Sequence, residues 1–438
     1  MPVDAIPTKI SVDLHRPYHE QPGLHTRWHP EIPFYCSVEP GEVFKVECFD
    51  SSGGQVFNTD DADDIAKVNP LSIHCLSGPI EVKGAEPGDL LIVDIQDIQP
   101  FPDEPWGYTA IMDPAKTSAF LNDKYPQMQK AIWDIDGIFA SSRHIPHVKF
   151  PGFIHPGIIG TLPSYEMLNK WKKREADLVD FHASLNDGCT VAALPNPEGS
   201  YIGQGVDPAL AKKVGEEGVR TVPPREHGGN IDIKNLSRGS KAYLPIYVKG
   251  AGFSVGDIHF SEGDGEISFC GAIEMHGIIT LKLGIIKNGM KDMSIYNPVF
   301  IPGNVTAHYG PSRYLTFQGI SVDDDGKQHF LDAKVAFRQA VLNAIEYLKG
   351  FGYTGEQAYL LLSAAPVETH ISSIVDVPNS CVSYSIPADI FDFDIMPKEG
   401  GPIIQPNMGK TAFPIFMSKC VLENECLCSS SLLCLLSI

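Results

Sequence analysis

Short apolar runs separated by glycine and proline dominate the pattern of this chain. Typical runs are Val43–Cys48, Leu90–Ile95 and Ala242–Val248, which are rich in β-branched, aromatic and leucine residues. Runs of this length between turn-forming residues predict strands, and 40 glycines and 35 prolines supply the turns. We therefore expect a mainly β fold built from sandwich or barrel modules.

A few segments carry the period of an amphipathic helix instead. Residues 331–349 place an apolar stripe on one face, and Gly350 follows at the position of a left-handed cap. A second helix is predicted to begin near Thr354, a third after Ser164 as its N-cap, and a short one at Asp207-Pro208, with proline at its first position. These helices are expected to decorate the β framework.

The chain is predicted to divide into three parts. Residues 1–220 form a β-rich module with helical insertions, and residues 221–395 form a second β-rich module with a polar cluster and a helix pair. Residues 396–438 are expected to be a poorly ordered tail. Four cysteines crowd into its end, where the Cys426-Leu-Cys428 spacing fits no usual structural zinc pattern; they are Cys420, Cys426, Cys428 and Cys434.

Charge and cysteine usage narrow the classes of function. Lys and Arg number 34 against 54 Asp and Glu, a formal net charge of -20, so nucleic acid and anionic membrane surfaces are poor partners. The chain shows no export signal or membrane-spanning stretch, and its other cysteines are scattered, which favours reduced thiols. We expect a cytoplasmic protein that acts on a small molecule.

Two segments of similar sequence suggest an internal repeat. Residues 80–85 read Ile-Glu-Val-Lys-Gly-Ala and residues 246–251 read Ile-Tyr-Val-Lys-Gly-Ala, each followed by a Gly-Asp pair. Shared turn chemistry accounts for the likeness as well as duplication does. Polar chemistry follows the second copy alone, from Asp257 onward.

Polar residues recur at every second position between Arg225 and His276. Because alternate residues of a strand share a face, we expect four pairs to act together: Asn230 with Asp232, Asp257 with His259, Asp264 with Glu266, and Glu274 with His276. Tight Asp-Gly turns alone would explain Asp264, but not the whole region. The density of carboxylates and imidazoles predicts a functional site.

In these segments the chain resembles the acetamidase/formamidase family, and in particular its eukaryotic formamidase branch. The likeness rests on long motifs in the family's order and covers roughly residues 10 to 395; the motifs are Trp28–Pro30, Ser77–Ile80, His155–Gly160, Gly228–Lys234, Leu244–Gly250, Gly256–Glu266 and Glu274–Met275. Glu262 departs from the pattern, since many members carry Gln there. The resemblance implies a homo-oligomeric hydrolase that cleaves short linear amides, formamide first, to a carboxylate and ammonia, on a mostly β fold with a smaller α/β portion.

Amide hydrolysis needs an activated nucleophile, an oxyanion stabiliser and an acid for the departing ammonia. In one interpretation Asp232, Asp257, His259 and Glu274 bind a divalent metal ion, with zinc favoured and calcium as an alternative. The ion would activate water. Glu266 or Asp264 would then serve as base and acid.

A second interpretation makes Cys270 the nucleophile, with His276 or His259 as its base. We prefer the metal, because the apolar run around Cys270 is typical of a buried strand. His155, beside a Pro-Gly turn, and Asn230 are predicted to bind substrate, whereas His25, His29 and His74 are expected to be structural. A non-catalytic β module that binds a small amide is the alternative outside enzymes.

Overall fold

The computed structural model describes residues 6–114, 117, 120–185, 193–304 and 313–415. The strands are β1 (Thr8–Ile10), β2 (Leu24–His25), β3 (Cys36–Val38), β4 (Val43–Cys48), β5 (Leu76–Val82), β6 (Leu90–Pro100), β7 (Trp106–Ile111), β8 (Gln129–Asp136), β9 (Phe139–Ser141), β10 (Lys149–Pro151), β11 (His155–Gly160), β12 (Pro224–Arg225), β13 (Gly228–Asn230), β14 (Lys241–Pro245), β15 (Phe253–His259), β16 (Phe269–Met275), β17 (Gly277–Ile286), β18 (Val299–Ile301), β19 (Tyr314–Ile320), β20 (Glu368–Ser373) and β21 (Cys381–Pro387). The helices are α1 (Tyr165–Leu185), α2 (Pro208–Glu217), α3 (Gly289–Asp292), α4 (Ala333–Lys349) and α5 (Gly355–Ala364).

These strands form three sheets, which confirms the predicted mainly β fold with a smaller α/β portion. A six-stranded sheet has the order β1-β4-β17-β6-β14-β18. A twelve-stranded sheet runs β10-β9-β8-β7-β16-β15-β11-β13-β12, with β5 beside β15 and with β2 and β3 beside β5. The third sheet, β19-β21-β20, is covered by α4 and forms the α/β portion. Both larger sheets take strands from either side of residue 220.

One cluster of buried apolar side chains joins the two larger sheets. Val46 and Leu281 come from the six-stranded sheet, and Phe253 and Ile258 come from the other; all four are fully buried. The cluster continues beneath α4 and α5. Full burial of such side chains stabilises a fold by about 1.5–3 kcal/mol each, so this interior holds β15 rigidly in place.

Side-chain caps mark the starts of α1, α2, α4 and α5. Asp207 caps α2, Asp332 caps α4, and Thr354 caps α5 in a capping box with Gln357. Ser164 Oγ accepts from Met167 N at 3.2 Å at the start of α1. The left-handed cap predicted at Gly350 is wrong: its φ is -59° and ψ is -23°, because the chain continues in tight turns through residue 352.

The two repeated segments pair with each other. Gly88 N donates to Ile246 O at 2.9 Å, and Ile246 N donates to the carbonyl of Asp89 at 3.1 Å. At the other end, Gly250 N donates to Ala85 O at 2.9 Å, and Val82 N donates to Gly250 O at 2.9 Å. The two similar segments are therefore hydrogen-bonded to each other at both ends.

Part of the segment 396–438 falls within the described residues. Gln405 N donates to Phe351 O at 2.8 Å, and Ala412 exchanges two backbone hydrogen bonds of 2.9 Å with Lys130. Residues 416–438, with the four clustered cysteines, lie outside the described part of the chain. Among the described helices, none has the length and apolar character that crossing a membrane requires.

Candidate active site

Three neighbouring strands of the twelve-stranded sheet bring the central residues together. His155 at the start of β11 lies directly opposite His259 at the end of β15, and His259 lies opposite Glu274 on β16. Side chains at opposite positions of antiparallel strands lie close enough to interact. The register therefore sets a row of imidazole, imidazole and carboxylate across the sheet.

His259 is fully buried and has acidic partners on both sides of its ring. Its Nε2 atom lies 3.2 Å from Asp257 Oδ1 and 3.5 Å from Glu274 Oε2. Its Nδ1 atom lies 3.0 Å from Glu262 Oε2 and 3.3 Å from His155 Nε2. The ring therefore lies between Asp257 and Glu274 on its Nε2 side and Glu262 on its Nδ1 side.

Atoms on the Nε2 side of His259 lack hydrogen bonds. Within the described residues, the buried atoms Asp232 Oδ1, Asp257 Oδ1, His259 Nε2 and Glu274 Oε2 have no hydrogen-bond partner, since the ion-pair contacts there lack hydrogen-bond geometry. Buried polar atoms are rarely left unpaired. Ligand atoms of Asp232, Asp257 and His259 lie within 4.8 Å of one another, and this carboxylate and imidazole set suits zinc or a harder divalent ion. The residues therefore fit a bound cation.

The backbone is strained at the same place. Asp232, Asp257 and Glu266 have φ values of 44°, 57° and 44°, in the left-handed region that non-glycine residues seldom occupy. Each such residue costs about 1–3 kcal/mol, a cost that tends to persist at functional sites. Gly157 completes the arrangement, because a Cβ atom there would lie 2.5 Å from Asp257 Oδ2 and 2.9 Å from Asp232 Oδ1.

Burial changes the acidity of the cluster. It raises the pKa of Asp232 and of Glu266 well above their ordinary values, and the surrounding carboxylates raise both further. It also raises the pKa of Glu274 to about 7, although the nearby His259 ring opposes this. These three carboxyl groups therefore hold protons far more readily than exposed ones.

The pKa of Asp257 shifts in the opposite direction. Burial alone would raise its pKa, but the His74 and His259 rings outweigh burial and hold the pKa below its ordinary value. Burial would likewise lower the pKa of His259, yet Asp257 and Glu274 raise it. Carboxyl groups whose pKa values are pushed apart within one cluster are the arrangement that acid and base catalysis uses.

A cavity of about 60 Å³ adjoins the cluster. Glu266, Glu274, His74, Asn230 and Cys270 line its polar side. Apolar side chains line the remainder, among them Val56, Val68, Ile73, Met112, Val222 and Phe269. A small space with an apolar wall and a few convergent polar groups has the form of a small-molecule pocket.

Comparison with known proteins identifies the group to which this site belongs. The sequence profile of the acetamidase/formamidase family matches residues 11–393. This chain is a member of the acetamidase/formamidase family. The family resemblance of its motifs is thereby confirmed.

Individual relatives of this family member match it over nearly their whole length. The formamidase of Methylophilus methylotrophus is 51% identical over 398 residues, 91% of this chain and 97% of that protein. The acetamidase of Mycolicibacterium smegmatis is 48% identical over 370 residues, 82% of this chain and 90% of that protein. The solved structure of the gamma lactamase from Delftia acidovorans matches with a TM-score of 0.88 and 50% sequence identity. The match covers 93% of this chain and 99% of that chain.

In this acetamidase/formamidase, most of the residues named from sequence meet at one place. Asp232, Asp257, His259, Glu274 and His155 form the buried cluster. Three others, Glu266, Asn230 and Cys270, line the adjoining cavity. The expected pairing of Asp257 with His259 on one face of β15 is confirmed.

The expected pairing of Asp264 with Glu266 is wrong. Residues 264 and 265 form a turn instead of a strand, so the two side chains do not share a face. Asp264 accepts from Lys234 Nζ and, at 2.7 Å, from Thr369 N. Glu266 instead reaches the cavity and accepts from Gly271 N at 3.2 Å.

Sequence reasoning missed two residues of the site. Glu262 carries no predicted role, yet it is buried between His155 and His259. His74 was expected to be structural, but its Nε2 atom lies 3.6 Å from Asp257 Oδ2 and its ring lines the cavity. The departure from Gln at position 262 was the signal that could have drawn attention to Glu262.

Proposed function

We propose that this protein is a formamidase, which hydrolyses formamide to formate and ammonia with the help of a divalent cation. The convergence of unpaired buried atoms on His259 Nε2, beside a cavity of about 60 Å³, carries the proposal. A cavity needs roughly 10–15 Å³ of such space to hold one water molecule, so this space suits a very short amide. Relatives named formamidase and acetamidase, at 51% and 48% identity, support a hydrolase of linear amides.

Asp232, Asp257, His259 and Glu274 would hold the cation. When bound, a divalent ion supplies Lewis acidity, which activates water and polarises a carbonyl group. Zinc is our first choice because an imidazole joins the carboxylates, and calcium is the alternative. Asp232 and Glu274 gain from the ion's charge, because burial otherwise makes their ionised forms costly.

Two residues on the cavity wall have the chemistry to handle the substrate. Asn230 donates through Nδ2 to Val222 O at 3.1 Å, while its buried Oδ1 has no hydrogen-bond partner among the described residues and can accept an amide N–H. Glu266, whose carboxyl pKa burial and the neighbouring carboxylates raise well above its ordinary value, can donate a proton to the departing ammonia. Asn230 can therefore bind the amide nitrogen of the substrate, and Glu266 can protonate that nitrogen as it leaves.

Cys270 remains the alternative nucleophile because it lines the same cavity, with Sγ 3.7 Å from Glu274 Oε1. However, burial and the charges of Glu274 and Glu266 raise the pKa of its thiol well above the ordinary value. A thiol attacks as the thiolate. The surroundings of Cys270 therefore disfavour the cysteine mechanism.

Ammonia release from formamide, acetamide and 2-pyrrolidinone, measured at pH 6 to 9 with and without added zinc, tests the proposal. We expect formamide to be the preferred substrate, with the extra methyl group of acetamide worth ~1–3 kcal/mol of discrimination. The lactam is included because a relative is named gamma lactamase. Binding of formamide without ammonia release under every condition would favour the non-catalytic binding module.

A matched pair of variants tests whether Glu266 is the general acid. Glu266→Gln should lower turnover about 10²–10⁴-fold, the usual contribution of a general acid. Asp264→Asn makes the same chemical change two residues away, where the side chain already pairs with Lys234, and should retain most activity. Equal losses in both variants would contradict the assignment to Glu266.

We also propose a cytoplasmic homo-oligomer. The cysteines that the structure describes, Cys36, Cys48, Cys75, Cys270 and Cys381, are free thiols, which supports a reducing compartment. Val299 and Ile301 are 43% and 53% exposed on β18, the outer strand of the six-stranded sheet, and Tyr296 shortly before this strand is 54% exposed. An apolar sheet edge of this kind supports pairing with a second copy, which sedimentation analysis would test.

A further inference from the structure

Glu262 is buried between the two histidines of the site. Its side chain is 1% exposed, and a single atom, Oε2, lies 3.0 Å from His155 Nε2 and 3.0 Å from His259 Nδ1. One carboxylate oxygen thus faces a ring nitrogen of each histidine. Glu262 lies three residues beyond the end of β15, where Phe260 N still donates to Ile273 O on β16 at 2.9 Å.

The hydrogen bonds decide where the ring protons lie. His155 Nδ1 is 2.6 Å from Phe153 O, and because a carbonyl oxygen can only accept, this nitrogen carries a proton. A carboxylate oxygen can likewise only accept, so His259 Nδ1, 3.0 Å from Glu262 Oε2, donates to it.

The hydrogen bond to Glu262 determines on which side His259 can bind a cation. An imidazole that binds a cation is neutral, with one N–H donor and one lone pair, so a proton held on Nδ1 by Glu262 leaves the lone pair on Nε2. That atom faces Asp257 and Glu274, on the side where the buried atoms lack partners. The ring is thus presented as a ligand in the direction of the carboxylates.

We propose that Glu262 is a positioning residue, which fixes the ring orientation and tautomer of His259 for cation binding, while His155 holds the same carboxylate oxygen from its other side. The inference deepens the proposed function and rests on it. Carboxylates that accept from the second nitrogen of a metal-binding histidine usually contribute 10–100-fold to metal affinity. Glu262 does so without being a ligand.

The same three residues could instead form a cation site of their own, since ligand atoms of His155, His259 and Glu262 lie within 4.8 Å of one another. Both sites would require a lone pair on each nitrogen of His259, and a neutral ring has only one. Nδ1 is already engaged by Glu262, whereas Nε2 is unpaired. The geometry therefore favours one cation, bound on the Nε2 side.

Zinc affinity, measured by competition with a chromogenic chelator, tests this role independently of activity. We expect Glu262→Ala to weaken zinc binding 10–100-fold. Glu262→Gln, whose amide oxygen still accepts from one ring, should weaken it less and partly rescue the loss. Glu226→Gln is the matched control, because Glu226 also accepts from ring and guanidinium groups, Trp171 and Arg174, but lies outside the cluster.

Thermal unfolding of each variant shows whether it is folded, and Glu262→Gln keeps the test valid if the alanine variant is not. Equal zinc affinity in the wild type and both Glu262 variants would overturn the positioning role while leaving the cation site intact. Two zinc ions per wild-type chain would overturn it in favour of a site at His155. A wild-type protein that binds no zinc, calcium or other divalent ion would remove both this role and the proposed cation mechanism.

Discussion

Two groups of buried charges in this molecule differ in how completely they are paired. Lys130 on β8 is fully buried, and its Nζ atom donates to Phe57 O at 2.9 Å, Thr59 Oγ1 at 3.1 Å and Asp64 Oδ2 at 2.7 Å. Asp64 uses its other oxygen to accept from Ile65 N at 2.8 Å. In the cluster around His259, by contrast, several residues each leave an atom without a hydrogen-bond partner in the part of the chain that the structure describes.

The difference separates a structural charge from a functional one. Lys130 fixes the segment that carries Val56 and Val68, which form part of the cavity wall, and its three protons are all used. Around His259, left-handed backbone and unpaired atoms cost free energy that folding alone does not recover. The satisfied charges of Lys130 and Asp64 hold a segment in place, whereas the atoms around His259 that lack hydrogen bonds among the described residues are those that the proposed cation would pair.

Asp232→Asn is expected to distinguish the two groups of buried charges most clearly, by its effects on turnover and on stability. Because burial raises the pKa of Asp232, the neutral amide resembles the form that the folded protein prefers. We expect turnover of formamide to fall at least ~10³-fold, while the free energy of unfolding in urea stays the same or increases. A variant that is both inactive and strongly destabilised would place Asp232 with the structural charges.

The reverse pattern is expected from Lys130→Met. Removing one partner of a buried ion pair typically costs about 3–5 kcal/mol, because it leaves the other charge unpaired. The free energy of unfolding should fall by that amount, and adding Asp64→Asn should recover part of it. Wild-type stability in Lys130→Met would show that this pair does not hold the wall.

A smaller effect is expected in the pH dependence of the metal-free protein. Glu274 has a pKa of about 7 in the folded state and an ordinary value when unfolded, so between pH 5 and 7 the folded protein holds a proton that the unfolded chain has released. This makes stability fall as pH rises. Relative to Glu274→Gln, the wild type should lose on the order of 2 kcal/mol across this window, and parallel stability curves for the two proteins would contradict the raised pKa.

The smallest effect is expected at Cys270. If the thiol only lines the cavity, Cys270→Ala and Cys270→Ser should each retain at least a few per cent of wild-type turnover, with losses of ~1–2 kcal/mol in stability. Abolished turnover in the serine variant, with its fold intact, would instead indicate a cysteine nucleophile, because serine attacks poorly without a rebuilt base.

Much of the site could be predicted because its motifs are local. Asp257 and His259 lie two residues apart on one strand, and the glycines around them indicated close backbone approach. Glu262 and His74 could not be found in this way, since they lie in irregular segments beside the strands and their contacts depend on strand register. His155 lies opposite His259 across 104 residues of sequence, and period-two reasoning failed at Asp264 because a turn replaces the strand there.

Elemental analysis combined with chelation tests the central claim most directly. We expect the purified protein to contain about one divalent ion per chain. Exhaustive dialysis against a chelator should abolish ammonia release from formamide, and zinc or calcium should restore it. Full activity in metal-free protein, together with complete inactivation by one equivalent of a thiol reagent at Cys270, would contradict the cation mechanism.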